Sequence, residues 1–441
     1  MQTIKYLIKH TAHFILILFL FAPACASISN KNKQNLNPST LDVDNAKGAF
    51  ATNKYRNLFN EIGHPEQEVK HKMETAFKQL YYGDSSTQKI YYNAGKNANG
   101  TLAYILDVYN KDIRSEGMSY GMMIAVQLDK KEEFNAIWNY AMTYMYTSDT
   151  AHPSAGYFAW SLKRDGTPNS ETAAPDGEEY FVMALYFAAG RWGNGNGIYN
   201  YKAWANTILS NMRHHGIKTG HTKRGSQTVG PMVNEEKKMI LFVPNGPGSS
   251  FSDPSYHLPH FYELWARWGP VNDRAFWLAA ADTSRKYFHK ATHPKTGLSS
   301  DYAHFNGEPV ITSFNENSKH FAYDSWRAAM NWSIDWSWWQ KDTGQQVLSN
   351  RIQIFFASQG MDTYGSVYTI DGKPVVKGRG AGLIATNAVA SLAANHSIAG
   401  DFVEALWKEP VPSQVGRYYG GLLYLMSLLH CSGEFKIYTP G

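Results

Sequence analysis

One carboxylate stands alone in residues 114–123, RSEGMSYGMM, among small and apolar neighbours. Glycines at 117 and 121 allow another group to approach the backbone closely. An apolar helical pattern follows, so we expect Glu116 at or near the start of a buried helix. Loss of water would raise the pKa of this carboxyl and suit it to general-acid catalysis. The alternative is an acid that the helix macrodipole stabilises in a first turn.

A second candidate, Asp176, lies in residues 174–181, APDGEEYF, before another apolar helical pattern. Glu179 stands three residues further along the chain. This spacing is typical of a capping box, in which two side chains satisfy free backbone N–H groups at a helix start. Asp176 is therefore either a helix N-cap or a functional carboxyl at a helix end.

The third candidate, Asp324, lies in residues 321–327, FAYDSWR. It too can be an N-cap, and Arg327 is a candidate ion-pair partner. Asp335 is a rival acid, but its place in the Trp-rich body of the same helix makes it the weaker candidate. If neighbouring helices alternate in direction, three acids at helix starts meet at one rim. Two carboxyls across a sugar-sized gap can hydrolyse a glycosidic bond, since one protonates the leaving oxygen and the other activates water or attacks.

Residues 251–259, FSDPSYHLP, form a loop that leads into an aromatic helix. The Tyr256 hydroxyl can hold a water molecule, or the ring can simply pack. His257 and His260 lack a third ligand at any familiar spacing, so we expect no metal ion. The sequence also has no Gly-rich phosphate loop and no nucleophile elbow, and we expect no cofactor.

Helical patterns dominate the chain and must position these acids. Strand signals are short, as at 239–243, and the loops are long and rich in Gly, Pro and aromatic residues, which often build sites. The helices come in successive pairs, which favours helical hairpins arranged around an axis and an all-α fold. Apolar residues at helical spacing predict helices over 69–82, 120–128, 132–146, 179–192, 201–212, 273–288, 324–339, 382–394 and 421–429.

Composition narrows the class of protein. The 441 residues are 43% hydrophobic and 18% charged, which supports a large core and argues against disorder. The net charge of +5 comes from scattered Lys and Arg, so nucleic acid is not an expected partner. The 13 Trp and 28 Tyr suit a core and a cleft that stacks sugar rings. Two cysteines exclude a disulfide framework.

Residues 1–26 match an export signal, with two lysines before an apolar core at 14–21 and small residues after it. This core is too short to span a membrane. Signal peptidase can cut after Ala24 or Ala26, or Cys25 can be lipidated. Both outcomes take the protein out of the cytoplasm, to the periplasm, the medium or the outer membrane.

Residues 27–48 are rich in Asn, Ser and Lys and predict a flexible linker. A single catalytic domain then covers 49–441, with no second linker and no segment long and apolar enough to be transmembrane. We expect this domain to be a monomer.

Four stretches together resemble glycoside hydrolase family 8: residues 114–123, 174–181, 253–259 and 323–327. They occur in the order of that family and span most of the chain. The resemblance implies an (α/α)6 barrel that hydrolyses β-1,4-linked polysaccharides with inversion. Inversion places the two carboxyls roughly 6.5–9.5 Å apart, with water between the base and the sugar.

The resemblance also implies roles for single residues. Glu116 matches the general acid, Asp324 the general base, and Asp176 a further acid that favours the distorted sugar ring. A helix start lowers the pKa of a carboxyl, so burial and the charge of Asp176 must outweigh the macrodipole at Glu116. Residues implied to place the water, the base or the sugar are Tyr256, Tyr323, Arg327, Trp160 and Tyr419.

Residues 175–181 and 253–259 look most like the xylan-active branch, and we expect an endo-1,4-β-xylanase. In related enzymes that release xylose from the reducing end, a histidine-bearing loop closes the cleft. The comparable residues here, 376–382 (VKGRGAG), contain three glycines and no histidine. Arg379 could still fill the gap, so reducing-end exo-oligoxylanase remains the alternative. A β-1,4-glucanase of the family, a non-catalytic sugar-binding protein and a polysaccharide lyase are further alternatives.

Overall fold

The structure is a computed structural model and describes residues 47–441. Fourteen α-helices lie in this part of the chain. In chain order they are α1 (Ala49–Thr52), α2 (Leu58–Glu61), α3 (Glu66–Tyr82), α4 (Ser115–Gln127), α5 (Lys131–Tyr140), α6 (Pro175–Trp192), α7 (Tyr201–His214), α8 (Pro259–Trp268), α9 (Arg274–Ala291), α10 (Trp326–Trp339), α11 (Gly344–Ser358), α12 (Ala381–Val389), α13 (Ala399–Lys408) and α14 (Tyr419–Cys431).

Six of these helices form a closed inner ring. Helix α4 contacts α6 and α14, α10 contacts α8 and α12, and α12 contacts α14. Tyr180 of α6 packs edge-on against Phe261 of α8, and the Tyr262 hydroxyl of α8 donates to Glu179. The ring helices carry apolar residues on nearly every side because neighbours enclose them on all sides.

An outer layer of six helices surrounds the ring. Helices α5, α7, α9, α11 and α13 each pack on the inner helix that precedes them, and α3 packs on α14. The described chain therefore forms the all-α (α/α)6 barrel that the resemblance predicts.

Short antiparallel strands occupy some of the loops between helices. The strand predicted at 239–243 is reduced to Met239–Ile240. Strand β3 (Asp112–Arg114) leads straight into α4, and the N–H of Ser115 donates to the carbonyl of Trp160 just before β4 (Ser161–Lys163). The pairings are β1 (Tyr91–Asn97) with β2 (Gly100–Ile105), β3 (Asp112–Arg114) with β4 (Ser161–Lys163), β4 with β5 (Pro168–Ser170), β6 (Lys218–Thr222) with β7 (Gly225–Val229), β8 (Val233–Asn234) with β9 (Met239–Ile240), and β10 (Val367–Tyr368) with β11 (Pro374–Val376).

Helix α4 begins five residues before the start predicted at 120, which places Glu116 in its first turn. Glycines at 117 and 121 lower the helix propensity of this turn. Packing requires both of them. A Cβ on Gly117 would lie 2.5 Å from the Tyr418 ring. A Cβ on Gly121 would lie 2.7 Å from the Ile105 side chain.

The sequence pattern fails to predict α11 because polar residues interrupt its buried face. The Gln345 and Gln353 amides are buried there and donate to Asp335 and to the carbonyl of Asn387. Helix α13 is also not predicted, although its buried face is apolar. Helix 132–146 is shorter than predicted, since α5 ends at Tyr140 and a π-helical turn follows.

The predicted export signal, most of the predicted linker and Cys25 lie outside the described residues. Within residues 47–441, no helix is long and apolar enough to cross a membrane.

Candidate active site

Three inner helices bring the candidate acids together. Glu116 and Asp176 are the second residues of α4 and α6, and Asp324 lies two residues before α10. All three contact the side chain of Arg327. Its Nη1 donates to Glu116 Oε2 (3.2 Å) and Asp176 Oδ2 (3.2 Å), and its Nη2 donates to Asp324 Oδ1 (2.9 Å). The acids therefore meet at one rim of the barrel, around one guanidinium group.

The Arg327 side chain is buried, so its charge needs partners. A planar guanidinium suits this role because it can donate in several directions at once. Nη1 also donates to the hydroxyl of Tyr120 (2.6 Å). One cation thus offsets part of the repulsion among three carboxyls and holds them in a fixed arrangement.

Burial gives Glu116 the pKa of a general acid. It raises the pKa of this carboxyl to about 7, with further increases from the charges of Asp176 and Asp324. Arg327 and Arg114 act in the opposite direction. Burial therefore outweighs the effect of the helix start, as the assignment requires. Glu116 Oε1 also accepts a hydrogen bond from the Tyr418 hydroxyl (3.1 Å).

Asp176 is not a helix N-cap, and the capping-box interpretation is wrong. Helix α6 begins at Pro175, with Ala174 at the N-cap position. Asp176 Oδ1 accepts from the N–H of Gly177 (2.9 Å), and Glu179 accepts from the Tyr262 hydroxyl instead of closing the box. Burial raises the pKa of Asp176 to about 6, while Arg327 opposes the rise.

Asp324 is not an N-cap either. Ser325 takes that position, and its hydroxyl bonds to the backbone of Ala322. The Asp324 carboxyl instead pairs with Arg327, which is the alternative that the sequence left open. Asp335 makes a buried bidentate pair with Arg285 (2.8 and 2.8 Å) and does not line the cleft beside the three acids.

The acids open into a cleft of about 540 Å³, large enough for part of a sugar chain. Two groups of side chains line it. The first contains Trp160 and two cations, Arg114 and Arg224, and Arg114 lies 5.5 Å above the Trp160 ring. The second group is mainly aromatic and consists of Phe242, Tyr256, Tyr302 and Phe314. The cleft thus offers flat apolar surfaces beside buried carboxyls, which suits a sugar ring.

Comparison with known proteins identifies the family. The glycosyl hydrolases family 8 profile matches residues 107–433. The chain belongs to glycoside hydrolase family 8. It is therefore an inverting hydrolase of glycosidic bonds, and its fold is the (α/α)6 barrel of that family.

Individual relatives are matched over nearly their whole length. A reducing-end xylose-releasing exo-oligoxylanase from Paenibacillus barcinonensis is 45% identical over 89% of this chain and 99% of the relative. An enzyme of the same name from Halalkalibacterium halodurans is 44% identical over 89% of this chain and 97% of the relative. A crystal structure of a family 8 catalytic-mutant xylanase with xylohexaose, from Teredinibacter turnerae, has 52% identity and a TM-score of 0.88, covering 89% of this chain and 100% of that one.

The remaining predicted residues of this family 8 enzyme fall at different distances from the cleft. Trp160 and Tyr256 line it. Tyr323 and Tyr419 stand beside Asp324 without lining the cleft, and the Tyr419 hydroxyl donates to the carbonyl of Tyr323 (2.9 Å). The Arg327 guanidinium lies 5.6 Å from the Tyr256 ring centre and 5.9 Å from that of Tyr419.

Arg379 is not among the residues that line the cleft. Its Nη1 donates to the carbonyl of Met361 (2.8 Å), and its guanidinium lies over the Tyr364 ring.

His257 is buried between the hydroxyls of Ser252 and Ser284, and burial lowers its pKa to about 3. His257 therefore has a packing role.

Sequence reasoning missed several residues around Asp324. Asp301 is buried and accepts hydrogen bonds from the backbone at Asp324 and Ser325. Asp253 is buried beside it, and its position in a family motif was the one available signal. Asn315 and the exposed Phe314 line the cleft from a loop without periodic pattern. Only the folded structure places these residues at the site.

Proposed function

We propose that this protein is an exported hydrolase of β-1,4-xylosidic bonds that releases xylose from the reducing end of xylooligosaccharides. The observation that carries hydrolysis is the group of three carboxyls on Arg327, one of them with a pKa of about 7. The names of the curated relatives support the xylose-based substrate and the reducing-end mode.

In the proposed mechanism, Glu116 is the general acid and Asp324 is the general base. Glu116 donates its proton to the glycosidic oxygen as the bond from that oxygen to C1 breaks. Asp324 takes a proton from a water molecule, whose oxygen bonds to C1 from the opposite face. The product leaves as the α-anomer, with Glu116 ionised and Asp324 protonated.

Other side chains would orient the reacting groups. We assign Asp176 to the sugar at the cleavage point, where it favours a distorted ring. Arg327 keeps all three carboxyls in place, and Tyr323 and Tyr419 support the turn that carries the base. Tyr256 is proposed to hold the attacking water, because its hydroxyl has no hydrogen-bond partner among the described protein residues. Trp160 offers a stacking surface for a neighbouring xylose.

Internal cleavage, the mode we expected from the glycine-rich loop, is the second candidate. One observation favours it: Arg379 is bound to Met361 and Tyr364, so its side chain does not extend into the cleft. The names of the curated relatives weigh more heavily toward the reducing-end mode. A β-1,4-glucanase remains a weaker candidate because the names of these relatives specify a xylose chain as the substrate.

A product profile on xylohexaose with a ¹³C label at the reducing-end xylose tests the proposal. Labelled xylose as the first product, with little loss of viscosity on polymeric xylan, supports the reducing-end mode. A spread of labelled oligosaccharides and a rapid fall in viscosity would establish internal cleavage instead. Cello-oligosaccharides serve as the glucan control. Glu116→Gln serves as the inactive control. If the wild-type protein binds xylohexaose but forms no more product than this variant, the proposal of an enzymatic function is wrong.

Export is a separate part of the proposal. Export is supported by the signal pattern at residues 1–26. Cell fractionation of the native host, with mass spectrometry of the mature N-terminus, would distinguish cleavage after Ala24 or Ala26 from a lipid on Cys25. Recovery of the unprocessed chain in the cytoplasm would contradict export.

A further inference from the structure

A buried acid that the proposed mechanism does not use lies directly behind the proposed base. Asp301 is 1% exposed. Its Oδ1 accepts hydrogen bonds from the backbone N–H groups of Asp324 (3.0 Å) and Ser325 (3.1 Å). Its Oδ2 accepts from the Asn315 side-chain amide (3.1 Å). Every hydrogen bond that this carboxyl accepts therefore comes from the turn of the base or from a loop of the cleft.

These contacts matter because Asp324 lies outside the helix. Backbone N–H groups at a helix start have no partner within the helix and need another acceptor. Here a single carboxyl oxygen serves two of them. The Asp324 side chain is held by one hydrogen bond, from Arg327, so the direction of its carboxyl depends on how firmly the backbone is fixed.

The Asn315 contact connects the same carboxyl to the cleft. Asn315 lines the cleft, and its loop also carries the exposed ring of Phe314. The backbone of Asp301 is itself tied down, since its N–H donates to the carbonyl of His320 (2.8 Å). Asp301 thus joins the sugar-facing loop to the turn of the base.

We propose that Asp301 is a positioning residue that fixes the backbone of Asp324, and with it the direction of the proposed base. The inference rests on the role of Asp324 given under the proposed function. A displacement of about 1 Å in a reacting group costs on the order of 100-fold in rate, so loss of this anchor should act on kcat. Of the side chains that line the cleft, only Asn315 contacts Asp301, so KM should change less than kcat.

A comparison of Asp301→Asn with Asp301→Ala separates the effect of the backbone hydrogen bonds from the effect of the charge. Burial and the charge of Asp324 raise the pKa of Asp301 to about 8, so a neutral side chain of the same shape is a fair substitute near pH 6. In Asp301→Asn, the carbonyl oxygen of the introduced amide would still accept from both N–H groups, whereas its NH2 group cannot accept the hydrogen bond from Asn315. The Asn variant therefore keeps the anchor of the base and loses only the contact with the loop. Ala has no acceptor and leaves both N–H groups without a partner.

The experiment compares kcat and KM of Asp301→Ala and Asp301→Asn on xylotriose, with melting temperatures. For the Ala variant we expect kcat to fall about 10- to 100-fold and KM to change less than about threefold. The Asn variant should keep kcat within about threefold of wild type. Asp335→Asn is the matched control, since this buried acid does not line the cleft; it should lower the melting temperature and leave kcat nearly unchanged.

Three results would overturn the inference: an Ala variant with kcat within about twofold of wild type, a loss that appears mainly in KM, or an Asn variant as impaired as Ala. If the Ala variant does not fold, Asp301→Ser decides the question. Its hydroxyl is too short to reach both N–H groups, and the same loss in kcat is expected. An active Asp324→Asn enzyme would refute the proposed base itself, whatever the variants at 301 do.

Discussion

The two ends of the Arg327 guanidinium face different surroundings. On the Nη1 side, Glu116 and Asp176 sit in first helical turns, and the Glu116 side chain is 16% exposed. On the Nη2 side, Asp324 lies on a turn before its helix, and its side chain is 26% exposed. The Tyr418 hydroxyl donates to the Glu116 carboxyl, whereas Asp301 accepts from the backbone N–H of Asp324.

This difference supports the proposal that one cation serves two carboxyls with opposite tasks. Burial beside a second acid favours the protonated form of Glu116, which an acid needs before it can donate. Asp324 has more access to solvent, as a base must have if it is to reach a water molecule. The assignment of the two roles therefore depends on local environment, and each side can be tested separately.

The largest expected effect is on the Nη1 side. Glu116→Gln should fold normally and lose about 10²- to 10⁴-fold in kcat on unactivated xylooligosaccharides, because no proton reaches the leaving oxygen. Steady-state rates on xylotriose, with circular dichroism to check folding, would measure this. Retention of a tenth of wild-type activity would mean that another group is the acid.

On the Nη2 side, Asp324→Asn should also be nearly inactive on every substrate, since no group would activate the water. Asp335→Asn should instead lower the melting temperature, because it breaks the buried pair with Arg285. Both variants need rates and thermal unfolding curves side by side. An essential Asp335 with a dispensable Asp324 would move the base into the body of α10.

The substitution Arg327→Lys should have the next largest effect on kcat. Lysine carries a single nitrogen and cannot contact both sides of the site at once, so Arg327→Lys should reduce kcat by about 10²-fold. Titration of xylotriose binding by calorimetry would separate this loss from weaker binding. A fully active Lys variant would show that the fork geometry is not required.

The smallest expected effect is a shift in the pH profile of kcat/KM. Glu116 must be protonated to act, so log(kcat/KM) should fall with a slope of −1 as pH rises through about 7. Tyr418→Phe removes a hydrogen bond that favours the ionised form, so the pKa of Glu116 and this basic limb should both move upward. A downward shift in the profile of the Phe variant would contradict the assignment.

How far the sequence predicts this site depends on the kind of contact. Isolated acids before apolar helical patterns, at 116, 176 and 324, are visible because helix starts leave a local signal. The capping interpretation failed at Asp176 and Asp324 because both carboxyls pair with Arg327. This arginine lies on a different helix from Asp176 and three residues after Asp324. Asp301 left no signal, since it contacts a residue 23 positions away from within a loop. The fold was more predictable than the site because helical periodicity is local and the family motifs are specific.

The mode of cleavage shows the same limit. Glycines in residues 376–382 predict an open loop, and Arg379 binds the carbonyl of Met361 and does not line the cleft. Whether the cleft is closed beyond the leaving sugar depends on which other part of the chain packs there. The composition of one loop carries no information about such long-range packing.

Hydrolysis of xylobiosyl β-fluoride tests most directly whether the two sides of Arg327 have separate tasks. Fluoride leaves without protonation, so Glu116→Gln should hydrolyse this substrate at a rate close to that of wild type. Asp324→Asn should remain inactive, because the attacking water still needs a base. A Glu116→Gln enzyme that stays inactive on the fluoride, together with an active Asp324→Asn enzyme, would contradict the assignment of acid and base.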